Sequence, residues 1–177
     1  MNKIIFIFLL IASAFLVYSC DSKFEPPKIS MGTDSAPTQE SWNSEVTFSD
    51  SGNVKAILKA GHISVYSTKS YYLIDSGAKV DFYKNGKQAS TLTGNRGKVD
   101  DITKDIEIYD SVKVVNNEGV KLTTEKLLWK NKTQKVYSDA FVRIITPKEK
   151  IEGIGFESDQ NLSNYVIYKV TGTFVNK

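Results

Sequence analysis

Enzymatic chemistry needs a nucleophile with its base, a carboxylate pair in a cleft, or a set of metal ligands. The 177 residues supply few candidates for any of these, with one cysteine, Cys20, and one histidine, His62. A single cysteine excludes an internal disulfide and a multi-cysteine metal site. His62 stands beside Gly61 at an expected turn, and without a second histidine or cysteine it reads as a surface residue. Asp100-Asp101 could serve as paired acids, but adjacent residues in a strand point to opposite faces, and a solvated turn suits them better. Ser138-Asp139 lacks a base, and no glycine-rich phosphate loop leads into a helix. The chain reads as a non-enzyme that needs neither cofactor nor metal.

What these residue types can do is bind without direction. From Ile102 the even positions read Ile102, Ile106, Ile108, Val112 and Val114, against Glu107, Ser111 and Lys113 on odd ones. After a turn at Asn116-Asn117-Glu118-Gly119 the habit resumes with Val120 and Leu122. It returns with Val136, Ala140, Val142 and Ile144, set against Lys135, Asp139 and Arg143. Alternation of this kind predicts strands with one apolar and one wet face. The apolar residues on odd positions (Tyr109, Val115, Tyr137, Phe141, Ile145) are themselves strand formers. Such a face is either a closed core or a groove for an apolar ligand.

The elements that must position this face are strands throughout. Val46-Thr47-Phe48 is a first short strand, followed by a turn at Asp50-Ser51-Gly52. Val54 to Leu58, Ile63 to Tyr66, Tyr71 to Ile74 and Val80 to Tyr83 come next, with a turn expected at Asp75-Ser76-Gly77. Lys84-Asn85-Gly86-Lys87 is the clearest hairpin, because Asn-Gly takes the positive φ angles of a type I′ turn. Ala89 to Thr93 returns, and Gly94-Asn95-Arg96-Gly97 reads as another turn. Short strands with frequent turn signals predict an all-β sandwich, jellyroll or barrel. A shift of thirty residues places Leu92 on Leu122, Ile106 on Val136 and Val166, and Val112 on Val142. That pattern is either a stacking repeat or the echo of similar hairpins.

The length suits one domain. The net charge of +3 is weak and its basic residues are scattered, which argues against a nucleic-acid partner. Met1-Asn2-Lys3 followed by the apolar run Ile4 to Val17 has the form of a signal peptide, too short for a membrane span. Its end, Leu16-Val17-Tyr18-Ser19-Cys20, resembles the lipobox of bacterial lipoproteins, in which cleavage precedes the cysteine and its thiol receives a diacylglycerol. Asp21 to Asn43 holds Pro26, Pro27 and Pro37 and shows no periodicity, so it reads as a linker spanning on the order of 25 Å. The expected organisation is a signal peptide at 1–19, a lipid-anchored Pro/Ser-rich linker at 20–44 and a β-jellyroll domain at 45–177.

The run Val120-Lys121-Leu122-Thr123-Thr124-Glu125-Lys126-Leu127-Leu128-Trp129, then Val136-Tyr137-Ser138 and Val142-Arg143-Ile144, resembles the periplasmic LptC component of bacterial lipopolysaccharide export. The tail Ile151-Glu152-Gly153-Ile154-Gly155-Phe156-Glu157-Ser158-Asp159 resembles that family's glycine-containing segment. The resemblance implies an open, twisted two-sheet β-jellyroll whose groove takes the acyl chains of lipopolysaccharide or lipooligosaccharide. The groove is expected to hold Ile106, Ile108, Val112, Val114, Leu122, Val136, Val142, Ile144, Ile154 and Phe156. Exposing one fourteen-carbon chain to water costs about 10 kcal/mol at about 0.8 kcal/mol per methylene, so transfer must avoid water. The chain has no nucleotide site, and the resemblance supplies an inner-membrane export ABC transporter as the energy source.

By the same resemblance, sheet edges at Val46 and Phe48 face the transporter. Those at Val166, Tyr168 and Val170, within the last strand Tyr165 to Phe174, face a soluble periplasmic β-jellyroll bridge protein. The expected location is the periplasmic face of the inner membrane, held by acylated Cys20. Best-known relatives use an N-terminal transmembrane helix instead. The competing reading is a closed β-sandwich lipoprotein that binds carbohydrate or protein through outer-face aromatics such as Tyr66, Tyr71, Tyr72 and Tyr83. A carrier of another lipid is a third.

Overall fold

Backbone alternation becomes a single antiparallel sheet in the computed structural model, which describes residues 36–66 and 68–175. Its strands are β1 (Gln39–Asp50), β2 (Asn53–Val65), β3 (Tyr71–Lys84), β4 (Lys87–Gly94), β5 (Arg96–Asp100), β6 (Ile106–Asn116), β7 (Lys121–Lys130), β8 (Lys135–Ile145), β9 (Glu149–Asp159) and β10 (Tyr165–Val175). The order is β1-β2-β3-β4-β6-β7-β8-β9-β10, and β5 pairs with β3 and β6. Strands β4 and β5 lie end to end along β3, with Gly94 opposite Ala78 and Gly97 opposite Ile74. The sheet is thus an up-and-down meander whose edges are β1 and β10.

A crease crosses the whole meander. Pairing is interrupted at Gly61 between β2 and β3, at Asp110-Ser111 in β6, between Thr124 and Leu128 in β7 and between Ser138 and Phe141 in β8. Ser76, Asp110 and Ser111 take positive φ angles of 60°, 65° and 57°, a conformation that only a bulge or turn requires of such residues. Hydrogen bonds from Gly77 N to Asn95 O (3.0 Å) and from Asn95 N to Asp110 O (3.1 Å) stitch the interruptions together.

The crease folds the sheet onto itself. In a flat sheet the five steps from β1 to β7 would separate their residues by about 24 Å at about 4.8 Å per step. Phe48 of β1 and Trp129 of β7 instead meet with ring centroids 6.0 Å apart. The result is an all-β, jellyroll-type sandwich whose two layers are halves of the same strands. Ion pairs such as Glu107–Lys126 (3.0 Å), Lys135–Glu157 (2.5 Å) and Arg143–Glu152 (2.6 Å) line the outer face.

Several local expectations are corrected. Asp75-Ser76-Gly77 and Gly94-Asn95-Arg96-Gly97 do not reverse the chain; both lie in the crease, and the strands continue through them. Ile102, placed first in the apolar series, is 78% exposed in the β5–β6 turn, where Asp100 accepts from its backbone N–H. Strand β1 begins at Gln39, ahead of the expected Val46, because β2 offers partners as far as Val65. The expected signal peptide, Cys20 and the linker up to residue 35 lie outside the described residues.

Candidate functional site

The inner faces of the two halves are built from cross-strand rows. One runs Val46, Leu58, Val80, Leu92, Val114, Leu122, Ile144, Ile151 across seven pairings. The facing half carries Tyr72, Val99, Ile106, Trp129, Val136, Ser158 and Tyr165. Rows of β-branched and aromatic side chains are what a pleated, half-buried surface selects. Phe82 joins the rows across the gap, its ring 5.4 Å from that of Trp129.

Nine of the ten expected groove residues, Ile106, Ile108, Val112, Val114, Leu122, Val136, Val142, Ile144 and Phe156, converge here with at most 1% exposure. The tenth does not: Ile154 is 44% exposed on the outer face beside Phe141. Gly155, at φ 82°, shifts the alternation of β9 by one residue, so Phe156 turns in while Ile154 turns out. A similar slip in β7, between Thr124 and Leu127, turns Leu127 and Trp129 inward on odd positions. The interior is packed as a core in this conformation.

Of the expected edge residues, Val166, Tyr168 and Val170 are 54%, 63% and 56% exposed on β10, which pairs only with β9. Val46 is 38% exposed on β1. Phe48 shares that strand, but its side chain is buried against Trp129.

The rim opposite the crease has two different ends. Beside β1 an apolar cavity of about 290 Å³ reaches inward between Val46, Phe48 and Leu58 of one half and Ile63, Ile74 and Val99 of the other. Tyr72 and Lys104 stand at its lip. Lys104 and then Tyr72 hydrogen-bond Asp101 and hold its carboxyl below the usual aspartate range, while the same bond raises the Tyr72 hydroxyl. This gives an apolar throat with a charged rim.

At the other end the β9–β10 turn closes the rim. Gln160 Oε1 accepts from the Trp129 indole at 3.0 Å, and Gln160 Nε2 donates to the Tyr83 carbonyl at 2.9 Å. The Ser90 hydroxyl donates to the Gln160 carbonyl, and Asn116 Nδ2 donates to the Asn161 carbonyl at 2.8 Å. Leu162 is 1% exposed beneath them. Nothing in a stretch as polar as Ser158-Asp159-Gln160-Asn161 signals burial from sequence.

The polar cluster around His62 is structural. His62 bridges Asp75 at 2.9 Å and Glu40 at 3.1 Å and stacks on Trp42, tying β1 to its neighbours. Among the described residues no group of histidine, cysteine and carboxylate side chains is placed to hold a metal.

The sequence matches the family described as lipopolysaccharide-assembly, LptC-related, over residues 4–175. The chain belongs to the LptC family. No individually curated protein matches it. The family assignment spans nearly the whole chain, including β1 to β6, which precede the runs from Val120 onward that carried the resemblance. LptC-family proteins are non-enzymatic components of lipopolysaccharide transport, periplasmic and tied to the inner membrane. The apolar interior and the free edges of this LptC-family chain are therefore its candidate ligand and partner surfaces.

Proposed function

We propose that this LptC-family chain is a lipid-anchored relay. It takes the acyl chains of lipopolysaccharide from an inner-membrane ABC transporter into the space between its sheet halves and passes them to a soluble periplasmic bridge protein. Acylated Cys20 holds it to the membrane, and the linker keeps the β domain clear of the head groups. The observation that carries the reading is the interior: nine aliphatic or aromatic residues with no charged group among them, continued toward edge strand β1 by an apolar cavity lined by Leu58 and Val99 of the same cross-strand rows. Acyl chains are held there by the hydrophobic effect, which is non-directional and lets a ligand slide. Free edges at β1 and β10 suit strand addition to a neighbour on each side.

A photocrosslinking amino acid at Val142 or Ile144 is expected to capture lipopolysaccharide in cells with an active transporter, and capture falls when ATP is depleted. The same probe at Lys113 or Arg143, on the outer face, captures little. Equal capture on both faces removes the groove assignment.

The packed interior favours a second reading, a closed sandwich that binds carbohydrate or protein on its outer face. Lys69 lies 4.0 Å over the Tyr66 ring and Lys98 lies 4.3 Å over Tyr71, an aromatic and cationic patch suited to that role. Folded, anchored protein that captures lipid at neither set of positions supports this second reading.

A further inference from the structure

Turns belong at the surface, where water satisfies their backbone. The β9–β10 turn departs from this: Gln160, Asn161 and Leu162 are only 3%, 8% and 1% exposed. It grows from the half of the sheet that carries Trp129 and bonds across the rim to Tyr83, Ser90 and Asn116 of the other half. Two features make this closure uneasy. Leu162 sits at φ 57°, a left-handed conformation that bulky side chains resist. Asn161 Oδ1 is buried with no hydrogen-bond partner in the protein, a state that is rare in folded proteins.

Beside the turn lies a depression of about 410 Å³ whose lining includes Lys84, Lys87, Gln88, Asn117, Glu118 and Asn161. Neither lysine forms an ion pair with Glu118 or with any other carboxylate among the described residues, so both ammonium groups are available to a ligand. Two cations and one carboxylate among side-chain amides and the Ser163 hydroxyl are a mixed chemistry. Ammonium groups donate to phosphate oxygens, and amides both donate to and accept from sugar hydroxyls. A simple anion would use only the first half of that set.

We propose that this depression binds a phosphorylated sugar group and that its occupation draws the β9–β10 turn off the rim. The inference rests on the lipid-relay reading and deepens it by assigning the polar end of the carried glycolipid to a site of its own. Asn161 Oδ1 gains a hydroxyl donor once the turn lifts, so the ligand binds the open state better and shifts the equilibrium toward it. The latch then yields to a glycolipid and stays shut against plain acyl chains.

The test uses the full chain in detergent micelles with exposed Trp42→Phe, leaving Trp129, whose indole bonds Gln160, as the only tryptophan. An unacylated, bisphosphorylated glucosamine disaccharide is expected to move Trp129 emission to longer wavelength and to speed amide exchange at Gln160, Asn161 and Leu162. In Lys84→Gln/Lys87→Gln, both exposed positions, half-saturation should require about tenfold more disaccharide, because charge-assisted bonds to phosphate are lost. Inorganic phosphate at the same concentration should leave the turn closed. No response to the disaccharide, an unchanged response in the lysine variant, or an equal response to inorganic phosphate each overturns the proposal. The relay reading fails separately, through absent acyl capture at Val142 and Ile144.

Discussion

Phe48 on the first strand meets Trp129 on the seventh edge-on, with ring centroids 6.0 Å apart and planes at 75°. This contact closes the folded sheet next to the apolar cavity, so it belongs to both the stability and the opening of the interior. Phe48→Ala is expected to destabilise the fold by about 3 kcal/mol, the low end for a buried phenylalanine, because the site already borders a cavity. Val46→Ala, on a half-exposed neighbour, should cost about 1 kcal/mol or less. Urea denaturation of both variants measures the difference. An environment-sensitive apolar dye should bind Phe48→Ala more strongly while circular dichroism remains that of a β protein.

Gly153 faces Val142 inside the fold, and the neighbouring strand covers it without a gap. A Cβ there would lie 2.4 Å from Ile167 Cγ2 and 2.5 Å from the Lys169 carbonyl oxygen, and a backbone atom cannot swing aside. Gly155 differs: its φ of 82° disfavours a side chain, but a Cβ would lie 3.2 Å from the Tyr168 ring, which is exposed and can move. Gly153→Ala should therefore be the worse variant, costing about 3 kcal/mol or preventing folding through overpacking. Gly155→Ala should cost about 1–2 kcal/mol from the left-handed backbone. Thermal midpoints and soluble yields of the pair give the ranking, and the reverse order removes the assigned role of Gly153.

Alternation made the strands and the inner rows readable, which is why Leu92, Val114, Leu122 and Ile144 fall on one line across four strands. The thirty-residue shift reflects this in part, pairing Leu92 with Leu122 and Val112 with Val142, all buried, but it fails at Val166 on the outer face of β10. The crease was not readable. Ser76-Gly77 and Gly94-Asn95 carry the residue types of turns, and nothing local says that the strand resumes beyond them. Wherever the crease inserts an odd number of residues, the alternation changes phase. That displaced Ile154 outward and hid Leu127 and Trp129 among the odd positions. Gln160 was invisible for a different reason: its burial depends on Tyr83 and Trp129, far away in sequence.

Acid should loosen the outer face before the core. Glu157 is held below the ordinary glutamate value of 4.5 by its bond from Lys135 and then Tyr168, and Glu152 by Lys150 and then Arg143. A carboxyl depressed in the folded state gives stability that is fully present above the unfolded value and is lost as pH falls through the folded one. The thermal midpoint is thus expected to hold from neutral pH down to about pH 5 and to decline below it. Glu152→Gln/Glu157→Gln should start lower at neutral pH and decline less steeply. Asp100 and Asp101, also depressed, keep some slope in the variant. High salt should shrink the difference, since these pairs are solvent-exposed. A variant with the same slope as the parent would show that these pairs contribute nothing to the acid response.

The β10 edge gives the last prediction. Val166 and Val170 are more than half exposed on a strand that pairs on one side only, the arrangement that invites another strand to join. A lysine on an edge strand discourages such pairing while leaving the strand's own ladder intact. Val166→Lys/Val170→Lys should therefore keep the parent's circular dichroism and lie within about 0.5 kcal/mol of its stability, as exposed substitutions do. The same variant should lose capture of the soluble bridge protein in a pull-down from cells expressing both. Ile167→Pro should also lose capture, but with some loss of stability, since it removes a backbone donor within the strand. If the double-lysine variant retains full capture while folded, partner docking is not through β10, and the β1 edge, with Trp42 64% exposed, becomes the surface to probe.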